Sequence, residues 1–365
     1  MRILITGADS FIGKNLKAEL INRKYNDILE INSCYDKELL MKSVEESDFI
    51  FHLLTVYRSE DSSEFEYINT EITRMIVKAM KEKQKTLLLL SSTQAENDND
   101  YGRSKLKAEE CVQNWVHATG NKAFIFRLTN EFGKWCPPNL NSVVATFCYN
   151  IANGLNIQIN NPTVPLKLMY IDDIIDKFVS VMEKGSATEY CEVDPIYIAT
   201  VGEVADILQS FKAMRTECNI PDMEDGLIKK LYSTYLSYLS TDGFSVPINT
   251  HVDDRGSFSE LLHFGGMGQV SVNISKPGIT KGNHWHHTKN EKFIVISGEG
   301  VICFRKVGEC EITVYHVSGA KMEVLDIPPG YTHNITNTGL TDMITIMWAN
   351  EIFDNNKPDT YFEEV

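Results

Sequence analysis

Hydrophobic residues follow two different patterns along the 365-residue chain. In the first part, short runs of consecutive apolar residues, such as residues 3–5 and 87–90, alternate with longer stretches of helical character. Consecutive apolar residues are typical of parallel strands that are buried on both faces. The alternation with helices therefore predicts an α/β domain of the Rossmann type, with a doubly wound parallel sheet. Its strands are predicted at residues 1–6, 27–31, 49–54, 86–90 and 124–127.

A different pattern begins near residue 246, where short strands with alternating apolar and polar residues are separated by glycine turns. A series of such strands predicts an all-β barrel, here a jelly roll. The turn residues and the proline of TDGFSVPINT mark the boundary. We therefore expect two domains, 1–245 and 246–365, which suits a chain of this length. The barrel strands are predicted at residues 269–274, 292–297, 301–305, 312–316 and 343–348.

The segment GADSFIG lies between the first predicted strand and the helix that follows it. Gly7 and Gly13 allow backbone N–H groups to approach a pyrophosphate at the positive end of that helix. Ser10 stands where such turns usually have their middle glycine, and a serine can also form the turn. Phe11 and Ile12 complete the segment, and we expect all five residues to take part in binding a dinucleotide.

The end of the second strand usually decides between the two nicotinamide cofactors. An acidic side chain there binds the ribose 2′-OH and repels a 2′-phosphate. Asn32, Ser33 and Cys34 are neither acidic nor basic, which mildly disfavours NAD without providing an arginine for NADP. Lys14 is a nearby cation that either helps to bind a phosphate or is simply solvated.

Groups suited to proton transfer follow the fourth predicted strand, at the end where doubly wound sheets bind ligands. Tyr101 and Lys105 form a YxxxK pattern on a helical stretch, which places both side chains on one face. A cation beside a tyrosine lowers its pKa from about 10 and allows proton exchange near neutral pH. Thr93, or alternatively Ser92, is expected to hydrogen-bond the reacting oxygen.

Together with the glycine turn, this arrangement resembles the extended short-chain dehydrogenase/reductase family. The resemblance implies a nicotinamide cofactor that contacts the glycine turn and the tyrosine and lysine of the YxxxK pattern. It also implies cofactor contacts from Leu53 and Arg58, near the end of the third strand, and a substrate contact from Asn130 in the segment TNEFG. His52, inside the third strand, is predicted instead to be a hydrogen-bonded core residue.

Three histidines and a glutamate in the second half have a spacing that suits a metal ion. His284 and His286 point the same way because side chains alternate along a strand. Glu291 follows shortly afterwards, and His333 comes from the later segment PPGYTH. Three imidazoles and a carboxylate suit zinc, iron, manganese or nickel. A histidine-rich loop in solvent is the alternative explanation.

The same residues resemble the two motifs of the cupin superfamily. The first motif extends from Gly278 through the His-x-His pair and the glutamate to Gly298. The segment Pro328-x-Gly330-x-x-His333 resembles the second motif. The resemblance implies that the three histidines and the glutamate bind one metal ion per chain, for which zinc is expected.

The segments DDRGSFSE and KGNHWH resemble another group of cupins, the nucleotide-sugar 3,5-epimerases. In those relatives the histidine that matches His284 is a general base and no metal is needed. We assign His284 as a ligand because the other members of the metal set are present. Arg255 and His287 are expected to contact the substrate. The candidates for an epimerisation base, which the sequence does not rank, are His287, His251, Glu260 and Tyr331.

The formal charge of −15 and the pI near 5.1 argue against nucleic acid or an anionic membrane as partner. The eight cysteines are scattered without a CxxC pair, and the chain starts directly with a predicted strand. No apolar run approaches the roughly 18 residues of a membrane helix. These features predict a cytoplasmic protein that is not inserted in a membrane.

Over its whole length the chain resembles the CapF family of bifunctional capsular polysaccharide synthesis enzymes, through segments such as FGKWCPPNLNSVVATFCYNIA and QVSVNISKPGITKGNHWHHTKNEKF. The resemblance implies that the cupin domain epimerises C3 of a UDP-2-acetamido-2,6-dideoxy-4-ketohexose. The reductase domain then reduces C4 with NADPH and forms UDP-N-acetyl-6-deoxy-L-talosamine, a precursor of N-acetyl-L-fucosamine in surface polysaccharide. It also implies a homodimer.

Two other functions remain open from the sequence. One is a simple sugar-nucleotide 4-reductase whose cupin holds a structural zinc and serves dimerisation. The other is a protein that binds NADP as a sensor or scaffold without turnover.

Overall fold

A computed structural model describes residues 1–80, 84–184, 190–354 and 356–365. The chain forms two compact units. The first contains Met1–Leu208 and Ser233–Leu239, and the second contains Gln209–Tyr232 and Ser240–Val365. Residues 209–232 thus group with the second unit, and the domain boundary at residue 245 stays a prediction.

The first unit is built on a parallel sheet. Its strands are β1 (Ile3–Thr6), β2 (Ile28–Ile31), β3 (Phe49–His52), β4 (Thr86–Ser92), β5 (Lys122–Leu128), β6 (Glu131–Phe132), β7 (Pro165–Tyr170), β8 (Tyr190–Cys191) and β9 (Tyr197–Thr200). Six of them form the sheet in the order β2-β1-β3-β4-β5-β8, with parallel pairing throughout. The order reverses between β1 and β3, and such a switch point opens a ligand crevice at the carboxyl ends of the strands.

Helices connect these strands and continue beyond them. They are α1 (Phe11–Asn22), α2 (Lys37–Glu46), α3 (Ser62–Phe65), a π-helical turn (Glu66–Glu71), α4 (Ile72–Ala79), α5 (Asp100–Thr119), α6 (Val143–Ala152), α7 (Ile171–Lys184), α8 (Val201–Thr216) and α9 (Gly226–Leu236). The predicted alternation of strand and helix is confirmed. The predicted strand ends differ from the observed ones by a few residues.

Both faces of the parallel sheet are buried, as consecutive apolar residues predict. Ile3 and Ile5 of β1 belong to one core cluster, in which α1 and α7 cover the sheet. Leu4 belongs to the opposite cluster, which includes residues of α2, α4 and α5. His52 is 1% exposed and its two ring nitrogens lie 2.8 and 3.0 Å from the hydroxyls of Thr6 and Thr73, so its prediction as a hydrogen-bonded core residue is confirmed.

The second unit is rich in antiparallel β-structure. Its strands are β10 (Thr250–Asp253), β11 (Gly256–His263), β12 (Gln269–Ser275), β13 (Thr280–Trp285), β14 (Glu291–Ser297), β15 (Glu299–Lys306), β16 (Ile312–Ser318), β17 (Leu325–Ile327), β18 (Tyr331–Asn337), β19 (Met343–Ala349) and β20 (Tyr361–Phe362). One sheet has the order β10-β11-β12-β19-β14-β17 and the other β16-β15-β18-β13-β20. Every second residue of β12 is buried, as the predicted alternation requires.

The core of this unit consists of inward-facing residues from both sheets. Phe293 and Val295 come from β14, and Ile302, Phe304 and Ile335 come from β15 and β18. None of the helices in the described part of the chain combines the length and apolar character that crossing a bilayer requires.

Candidate active and metal sites

A cavity of about 470 Å³ lies at the carboxyl ends of the parallel strands. Its walls come from the turn after β1, the end of β4, the start of α5 and the segment after β5. Doubly wound sheets bind their ligands at this edge. The predicted residues that line the cavity are Ser10, Phe11, Ile12, Arg58, Thr93, Tyr101 and Asn130.

Two of the other predicted cofactor residues shape the backbone of the turn. Gly7 has a φ of +71°, in the left-handed region that glycine adopts readily. A Cβ added to Gly13 would lie 2.3 Å from the carbonyl oxygen of Gly7, so only glycine allows α1 to start this close to the turn. Leu53 is 1% exposed and belongs to the core behind the turn.

Ser10 caps the first helix. Its φ of −71° needs no glycine, and its hydroxyl oxygen accepts a 3.0 Å hydrogen bond from the N–H of Gly13. The first N–H groups of a helix have no partner within the helix and are the groups that face a bound phosphate. Ser10 thus forms the turn without a middle glycine, and it occupies one of these N–H groups.

Tyr101 and Lys105 lie one turn apart at the start of α5. The Nζ atom of Lys105 is 5.9 Å from the centre of the Tyr101 ring and donates a 2.9 Å hydrogen bond to the carbonyl oxygen of Leu90. Burial lowers the pKa of Lys105 to about 7. Burial also raises the pKa of Tyr101 to about 12. Burial disfavours the charged form of both groups and so opposes the lowering of the tyrosine pKa that a neighbouring cation would cause.

The two residues predicted as alternatives for binding the reacting oxygen, Thr93 and Ser92, both line the cavity with Tyr101. Ser92, at the end of β4, and Thr55 both lower the pKa of Tyr101 against the effect of burial. Thr93 is exposed and begins a short 3₁₀ turn, although it lines the same cavity. Both residues thus stay candidates for the bond to the reacting oxygen, and Ser92 is the one of the two that acts on the pKa of Tyr101.

Glu131 is a cavity residue that sequence reasoning missed. It lines the wall beside Asn130, and burial raises the pKa of its carboxyl group while the neighbouring Lys105 acts in the opposite direction. Asn130 itself has a φ of +39° and donates from its side chain to the carbonyl oxygen of Lys167 at 3.1 Å. Glu131 belongs to the segment TNEFG, in which only Asn130 was predicted to contact the substrate.

The four predicted metal ligands come together in the second unit. One candidate ligand atom from each of His284, His286, Glu291 and His333 lies within 4.8 Å of the other three. A bulge after Gly282 in β13 brings His284 opposite His333 of β18, with ring centres 4.7 Å apart. Glu291 begins β14, and its Oε2 atom is 3.5 Å from the Nε2 atoms of both His286 and His333.

The surroundings of this cluster fit a bound cation. His286, Glu291 and His333 are 1%, 7% and 1% exposed. Their facing atoms, Nε2, Oε2 and Nε2, have no hydrogen-bond partner among the described residues. Burying such atoms without partners is costly, and a divalent cation between them removes the cost. Burial, aided by the other two histidines, lowers the pKa of His284 to about 4 and so favours the neutral imidazole that metals bind.

A cavity of about 460 Å³ lies beside the cluster, and His284, Glu291 and His333 form part of its wall. Arg255 also lines it and is held by a 2.6 Å ion pair with Asp253. Two of the base candidates, His251 and Glu260, line the same cavity. The metal cluster thus faces a space with both acidic and basic side chains.

Two other candidate residues lie outside the lining of this cavity. Within the described residues, neither His287 nor Tyr331 is part of its lining. His287 is exposed, and the centre of its ring lies 4.5 Å from the ring centre of Trp285 and 4.9 Å from that of Tyr361. Lys281 was missed, although it lines the cavity and belongs to the segment KGNHWH.

Asp359, near the C-terminal end of the chain, contacts the segment that carries the candidate metal ligands. Its carboxylate accepts hydrogen bonds from the backbone N–H groups of residues 287–289 at 2.7 to 2.9 Å. Its carbonyl oxygen hydrogen-bonds Nδ1 of His286. A metal-binding histidine is commonly oriented by such a bond from its other ring nitrogen. The sequence gave no signal for this contact, because 73 residues separate Asp359 from His286.

Comparison with known families matches both halves of the chain. Residues 3–193 match the NAD dependent epimerase/dehydratase family. Residues 251–361 match the polysaccharide biosynthesis C-terminal domain.

Individual proteins are similar over the full chain or over one half. UDP-2-acetamido-2,6-beta-L-arabino-hexul-4-ose reductase from Pseudomonas aeruginosa is 42% identical over 99% of this chain and 98% of its own length. The spore coat polysaccharide biosynthesis protein SpsL of Bacillus subtilis is 28% identical over 32% of this chain and 85% of its own length.

Solved structures give the same picture. The capsular polysaccharide assembling protein CapF from Staphylococcus aureus superposes with a TM-score of 0.92 at 48% identity and covers 100% of both chains. UDP-glucose 4-epimerase from Thermus thermophilus superposes with a TM-score of 0.54 at 16% identity, over 65% of this chain and 99% of its own. At that identity the second likeness concerns the fold alone.

Proposed function

Because the chain belongs to the CapF family, we propose that it converts a UDP-linked 4-keto sugar in two steps, one in each unit. The second unit, a cupin with a jelly-roll barrel, epimerises C3, and the first unit reduces C4. The observation that carries the proposal is the presence in one chain of a Tyr-Lys site in a cavity and a four-residue metal cluster beside another. The expected product is UDP-N-acetyl-6-deoxy-L-talosamine, for capsular or other surface polysaccharide.

The residues of the first cavity suit the proton side of a reduction. A bound reduced nicotinamide supplies the hydride for the C4 carbonyl carbon. The hydroxyl of Tyr101 donates a proton to the C4 oxygen, so that the ketone becomes an alcohol. Ser92 lines the same cavity and lowers the pKa of Tyr101 against the effect of burial. Lys105, with a pKa of about 7, can give and take a proton near neutral pH and so restore the tyrosine.

The turn after β1 suits a nicotinamide dinucleotide. Its glycines keep the backbone open at the N-terminus of α1, where a pyrophosphate binds. The family resemblance implies NADPH as the reductant. A homodimer is likewise the expectation from the family.

The residues of the second cavity suit proton exchange at C3. A zinc ion held by His284, His286, Glu291 and His333 supplies Lewis acidity, which acidifies the hydrogen at C3 of a 4-keto sugar. Inversion requires that a proton leave C3 on one face and return on the other, so two proton-carrying groups must face the sugar. His251, Glu260 and Lys281 are cavity groups that can do this.

Arg255 is the cavity residue best suited to the diphosphate of the UDP group. Its guanidinium group is planar, always charged and able to donate two parallel hydrogen bonds. Asp253 fixes its orientation through a 2.6 Å ion pair. The name of the Pseudomonas aeruginosa relative, a reductase of a UDP-linked hexul-4-ose, supports a substrate of this class.

Two matched variants test the two steps separately. His286→Ala is expected to abolish the exchange of the C3 hydrogen for deuterium in the 4-keto sugar, while nicotinamide oxidation with a substrate already epimerised at C3 continues. Tyr101→Phe is expected to slow nicotinamide oxidation by about 10² to 10⁴ and to retain both cofactor binding and C3 exchange.

Either result can contradict the proposal. Normal C3 exchange in the His286→Ala variant would leave a simple 4-reductase whose metal is structural. Unchanged nicotinamide oxidation in the Tyr101→Phe variant would show that Tyr101 is not the proton donor of the reduction. Absence of any turnover in the native protein, with cofactor bound, would favour a sensor or scaffold.

A further inference from the structure

The turn between β1 and α1 carries a carboxylate that reaches the end of β2. Oδ1 of Asp9 accepts hydrogen bonds from the backbone N–H of Ser33 at 2.8 Å and from the Ser33 hydroxyl at 2.9 Å. β1 and β2 are parallel neighbours, with Thr6 paired to Ile31, so the residues that follow them meet at one edge of the sheet. Asp9 and Ser33 are both exposed.

This position has a defined task in dinucleotide-binding sheets. The side chain at the end of the second strand contacts the adenosine ribose, where a carboxylate accepts from the 2′-OH of NAD and an arginine binds the 2′-phosphate of NADP. The sequence after β2 has no carboxylate until Asp36, which instead caps α2. Asp9 supplies the missing carboxylate from a different segment, and both hydrogen bonds to Ser33 use Oδ1, which leaves Oδ2 as an acceptor.

The surrounding cations do not neutralise this carboxylate. Within the described residues Asp9 has no ion-pair partner at 4.0 Å or less. Lys17 is engaged by Glu30 of β2 at 2.7 Å. Lys14 lines a shallow cavity with Lys17 and Trp135, along the side of α1. Residues 32–36 contain neither arginine nor lysine.

We propose that Asp9 makes this chain select NADH over NADPH, an inference that rests on the proposed reductase function. A 2′-phosphate carries close to two negative charges at neutral pH, and it must approach the place where Asp9 is fixed. Repulsion between charges a few ångströms apart at a protein surface corresponds to roughly a tenfold or larger loss of affinity. In this respect the chain departs from the NADPH that the family resemblance implies.

The test is a direct binding measurement that needs no sugar substrate. The full-length protein is titrated with NADH and with NADPH, and binding is followed by energy transfer from tryptophan to the reduced nicotinamide. The expected result is a Kd for NADPH at least about ten times that for NADH. Asp9→Asn keeps an acceptor for the N–H of Ser33 but removes the charge, and it is expected to bring the two Kd values close together by improving NADPH binding.

Asp27→Asn is the matched control. It removes one carboxylate at the opposite end of β2, where Asp27 pairs with Arg2 at 2.9 Å, and is expected to leave the ratio of the two Kd values unchanged. A thermal melt of each variant checks that the fold is intact, and the comparison of the two cofactors on the native chain does not depend on any variant.

The outcomes separate the inference from the function on which it rests. Equal or tighter binding of NADPH by the native chain overturns the inference and leaves the reductase proposal standing. If that preference for NADPH is then lost in Lys14→Gln, the residue that distinguishes the 2′-phosphate from the 2′-OH is Lys14 and not Asp9. Failure of the native chain to bind either cofactor refutes the reductase proposal itself, and the inference with it.

Discussion

Replacing Asp359 with alanine tests how the metal cluster is held. The carboxylate of Asp359 fixes residues 287–289 through three backbone N–H groups, and these residues lie between the ligands His286 and Glu291. The carbonyl oxygen of Asp359 orients the ring of His286. Asp359→Ala therefore releases the segment between two ligands without removing a ligand.

The expected loss follows from these contacts. A hydrogen bond to a charged group contributes about 1.5 to 3 kcal/mol. His287 and Thr288 are exposed, so water replaces part of what the carboxylate provides. The net effect is then about that of one such bond, which agrees with the 10- to 100-fold, or about 1.4 to 2.7 kcal/mol, typical for groups that orient metal ligands.

The assay is competition for zinc between the full-length protein and a chromophoric chelator. Asp359→Ala is expected to raise the Kd for zinc by about 10- to 100-fold, and Asp359→Asn, which keeps one oxygen acceptor, by less. Glu323→Ala is the control, because it removes an exposed carboxylate of the same unit that pairs with Lys321 at 2.8 Å.

A lower melting temperature with unchanged zinc affinity in Asp359→Ala would refute this reasoning. It would mean that the carboxylate stabilises the fold and that the ligands are positioned without it. An equal loss of zinc affinity in Glu323→Ala would mean that the effect reflects net charge and not the segment between the ligands.

Three further predictions concern the first unit. Gly13→Ala should abolish nicotinamide binding in a fluorescence titration and lower the free energy of unfolding by about 1 to 3 kcal/mol, because its Cβ would meet a backbone oxygen at 2.3 Å; normal binding would contradict the packing. Burial lowers the pKa of His52 from 6.5 to about 3, so the unfolded chain gains a proton below pH 6.5 that the folded chain does not. His52 should therefore account for a loss of about 2 kcal/mol in the free energy of unfolding between pH 7 and pH 5. When the free energy of unfolding of His52→Gln is measured by urea denaturation at both pH values, the decrease should be smaller by about this amount. Ser92→Ala should reduce the kcat of C4 reduction more than Thr93→Ala does, because Ser92 lowers the pKa of Tyr101; the reverse order would favour Thr93 as the residue that binds the reacting oxygen.

Much of the fold could be predicted because its signals are local. Consecutive apolar residues at β1 and β3 and alternating residues at β12 report which faces are buried, and the structure has those faces buried. The YxxxK pair lies on one helix, and the His-x-His pair lies within three residues, so sequence spacing fixes their proximity. Strand ends were less certain, since tertiary hydrogen bonds decide where pairing stops.

By itself the sequence determined the two kinds of sheet, the glycine turn and the His-x-His pair with Glu291 of the candidate metal cluster, because each depends on periodicity or short spacing. Only the tertiary structure decided which groups join them from a distance. The Asp9 carboxylate meets Ser33 across two strands, and Asp359 meets His286 across 73 residues. It also placed Ser92 where it acts on the pKa of Tyr101. The reason is physical: strand pairing and burial bring these groups together and set their protonation, and neither leaves a pattern in neighbouring residues.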